Sequence, residues 1–330
     1  MVYIKSLEKE IFPYYLPPEK DELFTSWFCR LSNNHDVKTN TFIQNYFGRN
    51  VPFWNRDIDV LEPENIINIM VKHTPLRIEN IHEMFLRNYE GFAYYKYHHD
   101  GTIRNILPLG INHRKRKQFG QQCCTKCLSM GTVYFKKSWR LITSVVCTEC
   151  NQLLIDRCYK CGSPITYYRV NMKSFSNLST MEFQPLFLCS NCNTDLRKYE
   201  PNRIPTKLEL DYQKYIDNSI LYGFNPITQY SFTFIRVLLL LSLRLRSSSK
   251  NNRFREIVLK KYNTPEAFIN KEIRYWSVEQ RRETLPFIFS LFKNSTDEIY
   301  SLFAENKVMR AYLIKDNDYI PFWFEKLLYY

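Results

Sequence analysis

Apolar residues recur at helical spacing toward both ends of the chain and lose that rhythm in the middle. Between Asp21 and Ser32, the residues Leu23, Phe24, Trp27, Phe28 and Leu31 share one face, which predicts an amphipathic helix with Asp21 as its N-cap after Pro17-Pro18. A second pattern, Phe42, Ile43, Tyr46 and Phe47, stops at Gly48, a residue suited to the position just past a helix. Two more helices fit 62–72 and 75–89, the latter with Thr74 as cap and Pro75 in the first turn. Short helices joined by short turns permit a helix-turn-helix arrangement. From Phe119 to Tyr199 the helical period fades, and Val133, Tyr134, Phe135, Ile142, Val145 and Val146 suit short strands. Past Pro205 the helical period returns. Ile235 to Leu245 reads as a buried helix, and Ser277-Val-Glu-Gln280 forms a capping box ahead of Leu285, Ile288, Phe289 and Phe292, with Pro286 as a kink. Ser247 to Asn252 reads as a surface loop.

The middle region holds nine of the ten cysteines, and the spacing of eight of them changes the picture from strands to metal. Cys124/Cys127 and Cys147/Cys150 give C-x2-C-x19-C-x2-C, within the range of a zinc ribbon; Cys158/Cys161 and Cys189/Cys192 give C-x2-C-x27-C-x2-C. Four thiolates on two tight knuckles can close a tetrahedral shell around zinc. The pairs can be grouped in sequence order or interleaved, and both use the same eight residues. A thioredoxin-like redox pair would need a βαβ context, which the pattern lacks. A shell closed by four cysteines has no open position at which to activate water, so the two zinc ions expected here are structural. Cys123 and Cys29 read as spectators. His98-His99-Asp100 is the one dense His/Asp cluster and reads as a loop.

The architecture expected is mostly α with small zinc-ribbon β hairpins. It comprises an N-terminal helix-turn-helix-like module (1–118), two four-cysteine zinc modules (119–200) and a C-terminal helical domain (201–330). With 45% hydrophobic and 24% charged residues, the chain can bury a core. The formal charge is +13, of which residues 101–200 carry fifteen Lys/Arg against five Asp/Glu, a local +10. Eight thiolates holding two divalent ions lower that to about +6. What remains concentrates in Arg114, Lys115, Arg116 and Lys117, before the first knuckle, and in Lys136, Lys137, Trp139 and Arg140. Basic and aromatic residues beside a zinc ribbon suit a phosphate backbone, so these eight are the candidate nucleic-acid or partner contacts.

Several function classes drop out. The closest two of the eight glycines lie nine positions apart, so neither GxGxxG nor GxxxxGK[ST] occurs. There is no HExxH, and the acidic residues fall mostly on helical patterns, where a two-metal nuclease would cluster them at strand ends. No span approaches the ~20 apolar residues of a membrane helix, and the N-terminus lacks a secretory pattern, so the expectation is a cytoplasmic, non-enzymatic protein.

Three segments together resemble the TniQ family of transposition target-selection proteins, which includes the TnsD-type proteins. The first is Leu16-Pro-Pro-Glu-Lys-Asp-Glu-Leu-Phe-Thr-Ser-Trp-Phe-Cys-Arg-Leu31. The second runs Cys124-Thr-Lys-Cys-Leu128, Tyr134-Phe135, Trp139-Arg140, Cys147-Thr-Glu-Cys150, Leu153-Leu154 and Cys158-Tyr-Lys-Cys-Gly162. The third is a looser C-terminal pattern, Arg281-Arg282 followed by Pro321-Phe-Trp323. The family usually places histidine as the last ligand of the first site, where this chain has Cys150; zinc accepts either. The resemblance implies an adaptor without catalytic residues. It would mark the insertion target and recruit an AAA+ transposition regulator (TnsC-like), either by reading a DNA attachment site or by docking, often as a homodimer, onto an RNA-guided CRISPR effector of the Cascade-like kind. A stand-alone zinc-ribbon transcription regulator is the alternative.

Overall fold

The computed structural model describes residues 10–48, 53, 56–97, 105–110, 118–169, 185–249, 252–262, 264, 267–293, 295–314 and 320–329. Among them the chain is mostly helical. The N-terminal part contains α1 (Phe24–Asn34), α2 (Thr39–Phe47), α3 (Ile58–Leu61), α4 (Glu64–His73) and α5 (Ile78–His82). A middle part with one short helix, α6 (Thr125–Ser129), carries the antiparallel hairpin β1 (Val146–Cys147) and β2 (Gln152–Leu153). The C-terminal part is α7 (Lys207–Tyr222), the hairpin β3 (Phe224–Asn225) and β4 (Gln229–Tyr230), α8 (Ser231–Arg246), α9 (Arg253–Lys261), α10 (Val278–Ser290), α11 (Asp297–Glu305), α12 (Arg310–Ile314) and α13 (Phe322–Lys326). None of the described helices is long and apolar enough to cross a membrane.

Aromatic rings build the N-terminal core. Phe24 stacks on Phe85 at 4.6 Å, Phe28 packs on Phe53 at 4.8 Å, and Phe12 meets Phe42 at 5.2 Å. Trp27 sits fully inside, as its place on the apolar stripe predicts. Two sequence expectations fail here, both because tertiary contacts override local signals. Asp21 does not cap α1: it lies in left-handed backbone, and its carboxylate accepts from the Ser138 hydroxyl (2.6 Å) and the Tyr89 hydroxyl (3.0 Å). The single helix expected over 75–89 is divided into α5 and a 3-10 turn, Leu86–Tyr89. Thr74 points its hydroxyl back to the Met70 carbonyl (2.7 Å), and the Met84 carbonyl accepts from the Phe24 amide (3.1 Å), so this stretch serves α4 and α1 in place of its own helix.

The C-terminal helices follow the sequence closely. Both Thr206 and Ser277 form reciprocal capping boxes, with Glu209 and Gln280, at the starts of α7 and α10. Helix α10 continues through Pro286 and packs on α7 and α8. The bonds that cross position 200 are specific. Tyr212 donates to the Thr143 carbonyl (2.8 Å), and the Gln213 side-chain oxygen accepts from the Val145 and Val146 amides (2.8 and 3.2 Å). The Asp156 carboxylate accepts from the Val278 amide (2.9 Å). Fully buried Arg281 donates to the carbonyls of Ile142 (2.8 Å) and Ser144 (3.2 Å) and to the Gln122 side chain (3.1 Å). Burial lowers the Arg281 pKa to about 10, so it remains a cation at neutral pH, held by these three acceptors and the Trp276 carbonyl (3.4 Å).

Candidate metal centres and the surface around them

The structure brings the cysteines together in sequence order: Cys124, Cys127, Cys147 and Cys150 form one cluster, and Cys158, Cys161, Cys189 and Cys192 the other. In each, all four Sγ atoms lie within 4.8 Å of one another. A tetrahedral four-thiolate shell with metal–sulfur bonds of ~2.3 Å has sulfur–sulfur edges of roughly 3.8 Å. The separations here, 3.5 Å for Cys127–Cys147, 3.3 Å for Cys127–Cys150, 3.7 Å for Cys158–Cys192 and 3.6 Å for Cys161–Cys189, are those of such a shell slightly contracted. The donor set therefore fits a tetrahedral metal ion of zinc's size.

Local structure explains why each knuckle closes. In the first, Cys124 starts α6 and its sulfur accepts from the Cys127 amide (3.4 Å), while β1 and β2 carry Cys147 and then turn back past Cys150. Hydrogen bonds from the Cys124 and Cys127 thiols hold Cys147 well below the usual thiol range, and hydrogen bonds with Cys124 and Cys147 push Cys127 up. In the second, each knuckle is a tight loop, with the Cys158 amide bonded to the Ser163 carbonyl (2.8 Å) and the Cys189 amide to the Thr194 carbonyl (2.9 Å). Gly162 and Asn193 take the left-handed backbone these loops need. Cys29 and Cys123 are buried outside both clusters, and burial pushes both thiols up.

The candidate contact residues are placed differently from the sequence reading. Arg114, Lys115, Arg116 and Lys117 lie outside the described residues, as does His98-His99-Asp100. Lys136, Lys137, Trp139 and Arg140 are all buried. Arg140 is bound to Asp57 (2.6 Å) and the Leu107 carbonyl (2.8 Å), with Asp59 at 3.8 Å. Lys136 pairs with Glu149 (2.5 Å), Lys137 donates to the Glu83 carbonyl, and Trp139 meets Phe135 edge-on. These side chains are committed inside the molecule because the segment 135–141 runs alongside residues 21–23, with the Leu23 amide bonded to the Phe135 carbonyl (2.9 Å) and the Lys137 amide to the Asp21 carbonyl (2.7 Å). A buried, ion-paired guanidinium cannot also neutralise a phosphate, so in this fold Arg140 is a core cation.

Exposed basic groups that the sequence reading passed over stand beside the clusters: Lys126 on α6, Lys160 in the third knuckle and Lys198 after the fourth. Their elements are neighbours, since α6 packs on 196–198 and the Tyr159 ring stacks on Tyr199 at 5.3 Å. Nothing in the linear spacing of three isolated lysines announces that grouping.

No curated protein matches the chain. Residues 13–154, from the N-terminal helices through the first cysteine cluster, match the family model TniQ, which supports the resemblance to the TniQ family that the residues themselves suggest.

Proposed function

We propose that this chain is a non-catalytic adaptor of transposition that links a target-recognition element to an AAA+ transposition regulator and, through it, to the transposase. The observation that carries the reading is the TniQ match over 13–154, ending on a complete four-cysteine cluster. Two structural zinc ions complete the clusters, each closed by four thiolates, so the metals hold the fold and offer no site for water. The target is chosen by an RNA-guided, Cascade-like complex or by a DNA attachment site, and the protein works in the cytoplasm as a monomer or homodimer. The segments 1–118, 119–200 and 201–330 serve as the helix-turn-helix-like, zinc and helical parts of one adaptor.

Deleting the chain from its transposon should abolish targeted insertion while the purified protein, with magnesium, leaves supercoiled DNA intact. Magnesium-dependent nicking by the pure chain, or targeted insertion that survives its deletion, would overturn the adaptor reading. Binding of the zinc-loaded protein to a fragment library at near-physiological salt then separates its two forms: one enriched short site means direct reading of DNA, and weak, salt-sensitive binding everywhere means that a guide complex chooses. Phosphate contact is assigned to 114–117 together with Lys126, Lys160 and Lys198. Replacing those three lysines by glutamine should flatten the salt dependence of DNA binding, each contact contributing a slope of about 1, whereas Lys136→Gln should leave the slope unchanged.

A further inference from the structure

A cleft of ≈ 990 Å³ opens between the N-terminal helices, the second knuckle and α7; Asp21, Glu83, Tyr89, Phe92, Asp217 and Leu221 are among its walls. Its two inner carboxylates are satisfied by neutral donors alone. Asp21 accepts from Ser138 and Tyr89, and Asp217 from the Gln213 side-chain amide (2.9 Å) and the Thr148 hydroxyl (3.1 Å). Among the described residues neither has an ion-pair partner within 4 Å, and burial above all, then the neighbouring Asp21, disfavours the charge on Asp217. Six carboxylates and three lysines line the cleft: Lys136 is paired with Glu149, Lys137 donates to the Glu83 carbonyl, lies against the Tyr89 ring and is attracted by Asp21, and Lys20 is the third, so the acidic groups are in excess.

The mouth of the cleft runs into an apolar surface. Phe92 and Leu221 line the cleft and are 41% and 69% exposed. Next to them Phe224 and Tyr230, directly opposite in the β3–β4 register, are 56% and 61% exposed. Phe232 bridges Tyr230 (5.9 Å) to exposed Tyr95 (5.5 Å). The patch is continuous because residue 223 is glycine: a Cβ there would stand 3.1 Å from the Phe92 ring, in left-handed backbone besides. Singly exposed apolar residues are ordinary, but five on three adjoining elements mark a binding surface. Carboxylates at its inner edge repel nucleic acid and anionic lipid and attract a cation.

We infer that this cleft and patch dock a peptide segment of a protein partner that lays an aromatic or long aliphatic side chain on Phe92, Leu221, Phe224 and Tyr230 and extends a lysine or arginine toward Asp21 and Asp217. The inference rests on the adaptor reading only in expecting that the peptide belongs to a transposition protein; the binding itself is read without transposition.

The test uses the full zinc-loaded chain and a displayed library of random dodecapeptides, followed by fluorescence anisotropy with the best peptide made synthetically. The enriched peptides should pair an aromatic or aliphatic residue with Lys or Arg. Affinity should fall about tenfold or more on Leu221→Asp, a solvent-facing change that leaves zinc content and the unfolding temperature intact, and similarly on Asp217→Asn. It should also fall when the peptide's basic residue is replaced by glutamate. Absence of enrichment, or a peptide whose affinity ignores both substitutions, overturns the proposal. So does self-association of the parent chain that Leu221→Asp abolishes and the peptide does not compete with, which would make a second copy the occupant. No peptide binding by a chain whose deletion abolishes targeted insertion would sink the docking site alone, and peptide binding by a chain whose deletion leaves insertion intact would sink the adaptor reading alone.

Discussion

The two cysteine clusters offer the same ligands, two buried and two half-buried in each, but are tied into the molecule differently. The first is woven into the rest of the molecule: Cys124 and Cys147 are buried, the amides beside Cys147 are held by Gln213 of α7, and Gln152 reaches Thr125 across the hairpin (2.8 Å). The second is closed mainly by its own loops, with the Thr166–Ser190 hydroxyl contact and the Tyr159–Tyr199 stack inside it and no strand among the described residues between its knuckles; it leans on the first through 196–198, which packs on α6, and through the Thr125 hydroxyl, which donates to the Tyr199 carbonyl (3.2 Å). The family match also divides them, ending at 154 before the second cluster begins. The same four-cysteine arrangement thus reaches α7 in one place and closes a more local pair of loops in another.

The sharpest way to break that comparison is to remove one ligand from each. Cys124→Ser should cost the first metal ion and most soluble, cooperatively folding protein, whereas Cys158→Ser should cost one ion with a much smaller fall in unfolding temperature. Zinc content measured alongside thermal unfolding checks both, and equal or reversed losses would show that the difference in attachment has no energetic meaning. Next comes Arg281→Met, which touches neither cluster yet leaves the Ile142 and Ser144 carbonyls and the Gln122 side chain without their donor. About 3 kcal/mol or more should be lost in urea unfolding.

A pH effect should follow on the side of the first cluster. Burial raises the Glu22 carboxyl from its ordinary value of 4.5 to about 7, against the pull of Arg30. With the folded value above the unfolded one, the folded state binds more protons between the two, so this group's contribution to stability falls as pH rises from about 4.5 to 7 and is constant outside that window. Glu22→Gln should flatten the stability profile there, as followed by chemical unfolding at a series of pH values. The smallest change expected is Thr206→Ala, which removes the α7 cap for about 1 kcal/mol and weakens the helix that braces the first cluster, with no effect on the second.

How much of this was legible in the linear sequence depended on how local each signal was. The knuckle spacings carry their chemistry within four residues, so all eight cysteines could be assigned as ligands before the fold, and only their grouping had to come from it. The Ser277 capping box was read, and the identical signal at Thr206-x-x-Glu209 was there to be read by the same rule. Asp21 looked like a cap because proline precedes it and an apolar stripe follows; its real partner, Ser138, is 117 residues away. Arg140 looked like surface because its neighbours are basic, and the carboxylates that neutralise it lie more than eighty positions upstream, at Asp57 and Asp59. The acidic cleft was invisible for the same reason, since its walls come from four separate stretches of chain.

Arg281 also imposes an order of events during synthesis. It joins the chain 137 residues after Ser144, whose carbonyl it will hold, an interval of roughly 7 to 27 s at ~5–20 residues per second. Throughout that delay the first cluster can take up metal and close, while the carbonyls behind it are satisfied only by water. The nascent protein therefore passes through a metal-loaded but unlatched stage, and quality control that samples it then would meet the wet side of a ribbon that the finished molecule never exposes.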